Sequence, residues 1–224
     1  MYQIDFWVIY NALPAILKGL EITLIVSIIS AIIAFGLGVV LAFCRRSKSF
    51  VLKTIAAIYV EIHRNTPLLI QLYIYYKGLP NIGITLNPML CGILSLSLYT
   101  AAFICEVVRS GLSSVANEQY QAARALGLNA IQTYRIIILP QAIRIILPAL
   151  TNQFINLIKN SSLVSFIAVT DLFYVIYKGA ADDFRFVEFF VTGAVIYMIL
   201  TGSVAFIASK IDNMFKIPGR SIKI

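Results

Sequence analysis

Residues 118–140 read EQYQAARALGLNAIQTYRIIILP, a polar, charged stretch lodged between apolar runs long enough to cross a bilayer. Asn117 is expected to cap a short helix here, with Glu118 favourable in its first turn. The run AARAL, residues 122–126, forms helix readily. Gly127 suits the left-handed residue that commonly ends a helix, so the stretch predicts about two to three helical turns and then a sharp change of direction. A short, rigid, exposed helix of this kind is suited to filling a groove on a partner.

The sequence on either side is that of a membrane protein. The chain has 224 residues, 60% hydrophobic and 12% charged, against about 25% charged in an ordinary soluble domain. Its apolar segments approach the roughly 20 residues needed to cross a hydrocarbon core of about 30 Å. They fall at about 17–44, 54–76, 89–108, 142–168 and 186–209. The expected fold is all-α and polytopic, with five transmembrane helices in a single domain over 1–224, because no polar linker divides it. The opening MYQIDFW lacks the basic stretch and cleavage site of a signal peptide, so the first apolar segment is expected to remain as a span.

Charge sets the expected orientation. The net charge of +8 would suggest a nucleic-acid partner on a soluble protein, but here it reflects Lys and Arg on cytoplasmic loops, and no nucleic acid is expected. Arg45, Arg46, Lys48 and Lys53 form an acid-free loop after the first span, which places the N-terminus outside. Lys210, Lys216, Arg220 and Lys223, against Asp212, place the C-terminus in the cytoplasm. Cys44, Cys91 and Cys105 lack metal-ligand spacing and read as packing residues, and no metal site is expected.

Polar residues inside the spans are costly unless paired or solvated. Glu61 and Arg64 sit three apart, as do Glu106 and Arg109, so each pair can meet on a helix face in a structural or gating role. Pro67 cannot donate to the carbonyl of His63, and a kink is expected there. His63 itself reads as a tolerated residue near the inner leaflet. Tyr99 is either a packed aromatic or faces a permeation path. Asn152, Asn156, Lys159 and Asn160 follow helical spacing with Gln153 beside them, and they should face other helices or a water-filled cavity. Residues 170–185, with Asp171, Lys178, Asp182, Asp183 and Arg185, read as a solvated outer loop with a face suited to docking a second protein.

The spacing Gln121-Ala122-Ala123, Gly127, Ile137, Leu139-Pro140 resembles the EAA loop of permease subunits in ATP-binding-cassette importers. EIHRNTPLLIQL at 61–72 is similar to the pattern E-F-F-R-G-T-P-L-L-V-Q of the polar amino-acid branch, the histidine, glutamine and arginine permease-like family. AAFICEVVRSGL and NQFINLIKNSSLVS resemble it further along. Gln121 stands where the family has Glu, which would turn a salt bridge into a weaker neutral hydrogen bond. The resemblance implies that 117–140 is a coupling helix that plugs into a cytoplasmic ATPase through Gln121, Ala122, Ala123, Gly127, Leu139 and Pro140. It implies a substrate pathway past Glu61, Tyr99, Asn152, Gln153, Asn156 and Lys159. It also implies a second permease chain (a homodimer, or a pair of related chains), two ATPase subunits, an extracytoplasmic binding protein and a bacterial inner membrane. No phosphate-binding Gly-x-x-x-x-Gly-Lys-Ser/Thr loop occurs, so the chain is not expected to be an enzyme or to bind a cofactor, ATP and Mg belonging to the ATPase. The neutral stripe favours a neutral or zwitterionic polar amino acid. A passive channel or scaffold without an ATPase is the alternative.

Overall fold

The computed structural model describes residues 4–214. α1 runs Trp7–Arg46, α2 Phe50–Asn65, α3 Leu68–Tyr73, α4 Pro88–Ser113 and α5 Asn117–Ala125. α6 (Ala130–Gln132) passes through a π-helical turn into α7 (Leu139–Asn160), which tightens to 3-10 geometry over Ser161–Ile167. α8 (Leu172–Asp182) and α9 (Phe186–Met214) complete the described chain. Four stretches among the described residues are long and apolar enough to cross a membrane: Trp7–Arg46, Pro88–Ser113, Ala130–Ile167 and Phe186–Asp212.

The segment expected to be the second span is not one helix. α2 stops at Asn65, Thr66 and Pro67 are extended with ψ of 139° and 135°, and α3 restarts at Leu68 before a π-helical turn over Ile74–Gly78. Proline forces the residue before it out of helical geometry and offers no N–H of its own, so the expected kink is a full break.

α1 is the axis of the bundle. Its buried positions, from Ile16 and Gly19 through Ser30, Ala34, Gly38 and Ala42, recur at helical spacing and are mostly small. Lipid tails are as apolar as a side chain, so helices in a bilayer associate through close packing rather than hydrophobic burial. A Cβ on Gly38 would stand 2.7 Å from Cβ of Ile104 and 2.9 Å from the Ala101 carbonyl oxygen of α4. Three apolar clusters are strung along this helix. Ala34 and Ala42 pack with Ile104, Ile138 and Ile146; Val26 packs with Leu72, Leu96 and Val164; Ile16 packs with Leu172, Ile176 and Phe189.

The last cluster corrects the solvated loop expected over 170–185. Leu172, Ile176 and Ala180 share one face of α8 and are buried. Asp171 caps α8, its Oδ1 accepting from the Tyr174 N–H at 2.9 Å, and the Leu172 N–H donates to Thr23 Oγ1 of α1 at 3.0 Å. Burial pushes the Asp171 carboxyl up to about 6. Tyr177, Lys178, Asp182 and Asp183 hold the exposed face. Elsewhere α1 begins at Trp7 with Pro14 inside it, Ala116 rather than Asn117 is the N-cap of α5, and the helix expected from 142 is already formed at Ala130. The basic tail residues Lys216, Arg220 and Lys223 lie outside the described residues.

Two measurements test this packing. Gly38→Leu should lower the thermal midpoint in detergent, since overpacking costs about 1–3 kcal/mol. Gly36→Leu, with nothing within 4 Å, should not, and equal midpoints for the two variants would contradict the close α1–α4 contact. For Asp171, the unfolded carboxyl titrates near 3.9, so the folded state holds more protons between about pH 4 and 6 and stability falls as pH rises through that window. Asp171→Asn should flatten that slope in pH-dependent melts, and an unchanged slope would contradict the buried carboxyl.

Candidate functional site

The end of α5 is locked by its own backbone. Gly127 has φ of +76°, a conformation only glycine adopts freely. Its N–H donates to the Arg124 carbonyl at 2.9 Å, and the Leu128 N–H donates to the Ala123 carbonyl at 3.1 Å. These two bonds satisfy carbonyls the helix end would leave open. Two residues on, Asn129 and Gln132 form a capping box, with Gln132 N–H to Asn129 Oδ1 at 2.9 Å and Asn129 N–H to Gln132 Oε1 at 3.0 Å. The chain is thus turned by one capped terminus straight into the next.

The three residues of the triplet face different ways. Ala123 is fully buried, and the Tyr120 ring meets the Tyr134 ring edge-on at 5.9 Å between centroids. Gln121 and Ala122 are exposed, as are Leu126 at 77% and Ile131 at 78%. Leu139 and Pro140 are exposed at the start of α7, directly after the π-helical turn over Thr133–Ile138, and Pro140 has no N–H to donate back into that turn. The Gln141 amide bridges back to Gln119 Oε1 at 3.4 Å.

Charged residues cluster at the same end of the bundle. Arg109 grips Glu106 with Nη2–Oε2 at 2.6 Å and Nε–Oε2 at 3.0 Å, and Arg45 of α1 approaches Glu106 at 3.6 Å. Glu61 and Arg64 do not pair, contrary to their spacing. Glu61 Oε2 accepts from the Asn65 amide at 2.8 Å, and the Arg64 guanidinium lies over the Phe103 ring at 5.4 Å. An amide one turn further along α2 and an aromatic face on α4 take up the two charged groups instead. Tyr99 is part-buried one turn from Phe103, their ring centroids 4.9 Å apart.

On α7, Asn152, Asn156 and Lys159 are exposed along one face, with Gln153 half-buried beside them. No hydrogen bond or ion pair among the described residues joins this stripe to Glu61, Arg64 or Tyr99. The candidate pathway residues therefore lie on three helices, α2, α4 and α7.

The break at Pro67 holds a network that sequence reasoning missed. The carbonyl that Pro67 cannot reach, that of His63, accepts instead from Gln71 Nε2 at 3.0 Å; the same nitrogen lies 3.1 Å from the Thr66 carbonyl and 2.6 Å from Thr66 Oγ1. His63 Nδ1 donates to the Tyr59 carbonyl at 2.9 Å, its Nε2 lies 3.4 Å from the Tyr75 hydroxyl, and its ring stacks on Tyr59 at 4.2 Å. The signal for Gln71 was present in the sequence, as an amide one turn after a helix-breaking proline. Nothing in the sequence pointed to Arg45, whose partner is distant in the chain.

Residues 34–213 match the family described as the binding-protein-dependent transport system inner membrane component. The chain belongs to this family, as a permease subunit of the amino-acid ATP-binding-cassette importers. It is 37% identical over 194 residues to the "Probable glutamine ABC transporter permease protein GlnM" of Bacillus subtilis (strain 168), covering 87% of this chain and 90% of that protein. It is 34% identical over 215 residues to the arginine transport system permease protein ArtQ of the same organism, covering 96% and 98%. The crystal structure of an amino acid ABC transporter with histidines superposes with a TM-score of 0.89 at 31% identity, covering 95% of this chain and all of that one. The MetNI methionine ABC transporter, at 21% identity and a TM-score of 0.72 over 93% and 98%, shares the fold. These relatives are membrane permeases rather than ATPases.

Gln71→Leu should leave the His63 carbonyl buried without a donor, which costs about 1–3 kcal/mol. The expected readout is a lowered thermal midpoint in detergent; a midpoint equal to wild type would mean that Gln71 does not hold the break.

Proposed function

We propose that this chain imports polar amino acids by ATP-driven alternating access, as the membrane half of a complex with two ATPase subunits that bind ATP and Mg. One observation carries the reading. A short helix with a locked left-handed end projects Gln121, Ala122 and Leu126 outward, and it feeds directly into one helical column from Ala130 to Ile167 that bears the polar stripe. A push on α5 is therefore delivered to the α7 stripe without an intervening flexible joint, which is what a rigid-body switch between two access states requires.

In this reading α2 and α3 cross the membrane together as a broken helix, making five spans with the N-terminus outside and the C-terminus in the cytoplasm of a bacterial inner membrane. ATP binding draws two coupling helices together, and Ala123, packed beneath, passes the motion into the column. The exposed stripe of Asn152, Gln153, Asn156 and Lys159 is too polar to face lipid. A second copy of the chain covers it and, with Glu61 and Tyr99, encloses a water-filled path. Glu106, held by Arg109 and Arg45, braces the inner end of that path as the gating or structural pair. The exposed face of α8, with Lys178, Asp182 and Asp183, meets the extracytoplasmic binding protein. The stripe's neutral amides favour a neutral or zwitterionic side chain on the cargo.

Gly127→Val tests the coupling. A β-branched residue resists φ of +76°, so the turn should shift and the column lose its register with α5. The expected outcome in proteoliposomes is ATP hydrolysis without amino-acid uptake. Normal uptake per ATP in this variant would overturn the coupling role of α5.

A further inference from the structure

α1 ends on two consecutive arginines, which helical geometry turns about 100° apart. Arg45 approaches Glu106 on α4. Arg46, exposed at the helix end, makes a different pair of contacts. Its Nη1 donates at 2.9 Å to Oγ of Ser113, the last residue of α4. Its Nη2 donates at 3.5 Å to the hydroxyl of Tyr134, in the π-helical turn that leads into α7. The Tyr134 ring meets that of Tyr120 on α5 edge-on, and Tyr120 packs against the inner apolar cluster. One guanidinium thus joins the ends of α1 and α4 to the turn that α5 leans on. Apolar packing leaves a gap here. A cavity of about 950 Å³ lies between α5 and the ends of α1 and α4, with Arg46, Ser113, Tyr120 and Tyr134 on its walls.

We infer that Arg46 is a positioning residue for coupling: it holds α5 and its turn at a fixed angle to α1 and α4, so that a push from the ATPase moves three helix ends together. The inference rests on the importer reading above, which supplies the push. It adds a route into α1 and α4 that does not pass along the α7 column. A guanidinium suits this role because its fork donates in fixed directions to two acceptors, whereas an ammonium is a single point charge. Lys48, two residues on, is exposed and makes no hydrogen bond or ion pair among the described residues, so charge at this end of the bundle is not what the geometry singles out.

The test uses the whole importer, this chain with its ATPase and binding protein, in proteoliposomes. Amino-acid uptake and ATP hydrolysis are read on the same sample. Arg46→Gln should lower uptake per ATP about fivefold. The ATPase should still co-purify in the wild-type ratio and the thermal midpoint should hold, because Arg46 is an exposed side chain. Tyr134→Phe keeps the ring against Tyr120 and removes only the acceptor, so it should give a similar fall. The double variant should fall no further than either single one, as expected of two groups in one contact. Arg46→Lys, which keeps the charge and loses the fork, should stay below wild type, and Lys48→Gln should match it. An unchanged ratio in Arg46→Gln, additive losses in the double variant, full recovery in Arg46→Lys or an equal loss in Lys48→Gln would each overturn the inference. Loss of the co-purifying ATPase in Arg46→Gln would overturn it too, by making Arg46 a docking residue. Hydrogen exchange on the purified chain reads the tie without transport. Amides of residues 119–128 should exchange faster in Arg46→Gln than in wild type, and no faster in Lys48→Gln. Unchanged exchange would overturn the tie and leave the importer reading standing. Faster exchange in a chain whose wild type brings no ATPase out of the membrane would fault the importer reading, and the coupling role with it.

Discussion

A bilayer interior offers no water to satisfy a broken backbone or a lone charge, and this fold is built around that constraint. Where Pro67 interrupts the second apolar segment, the freed His63 carbonyl is met by Gln71. Where Glu106 enters α4, Arg109 and Arg45 close on it from two helices. Where α1 and α4 must hold without hydrophobic drive, Gly38 lets Ile104 and the Ala101 carbonyl come within reach of backbone contact. The exposed amides and ammonium of α7 are an exception among the described residues, and the same constraint makes them a physical argument for a second subunit and an aqueous path.

The two ends of the proposed machine are one piece of secondary structure. α5 ends in paired carbonyl caps at Gly127, Asn129 opens the next helix at once, and the column then continues through a π-helical turn, Pro140 and Pro148 to a 3-10 end at Ile167. α2 and α3 are the opposite case, two short helices joined at an extended break and stitched by one side-chain amide. A rigid column beside a jointed neighbour is a reasonable mechanical basis for opening a path at one end while closing it at the other.

Local chemistry was the legible part of the sequence. α5 and its left-handed end follow from helix formers running into a glycine, and the break follows from a proline within an apolar run. What the sequence did not reveal was tertiary. Three-residue spacing allows Glu61 and Arg64 to pair, but it carries no record of Phe103 on another helix, which takes the guanidinium instead. α8 was hidden because Asp182, Asp183 and Lys178 drew the reading toward solvent. Leu172, Ile176 and Ala180 already carried the four-residue spacing of a buried face. Arg45 looked like one more basic loop residue until the fold set it beside Glu106.

The most direct test of the central claim is ATPase activity of this permease reconstituted with its co-purifying ATPase and binding protein, measured across a panel of amino acids. The account predicts that an ATPase comes out of the membrane with the chain, and that one class of polar amino acid, delivered by the binding protein, stimulates hydrolysis. No co-purifying ATPase and no stimulation by any amino acid would contradict it and leave a channel or scaffold as the better description of the same helices.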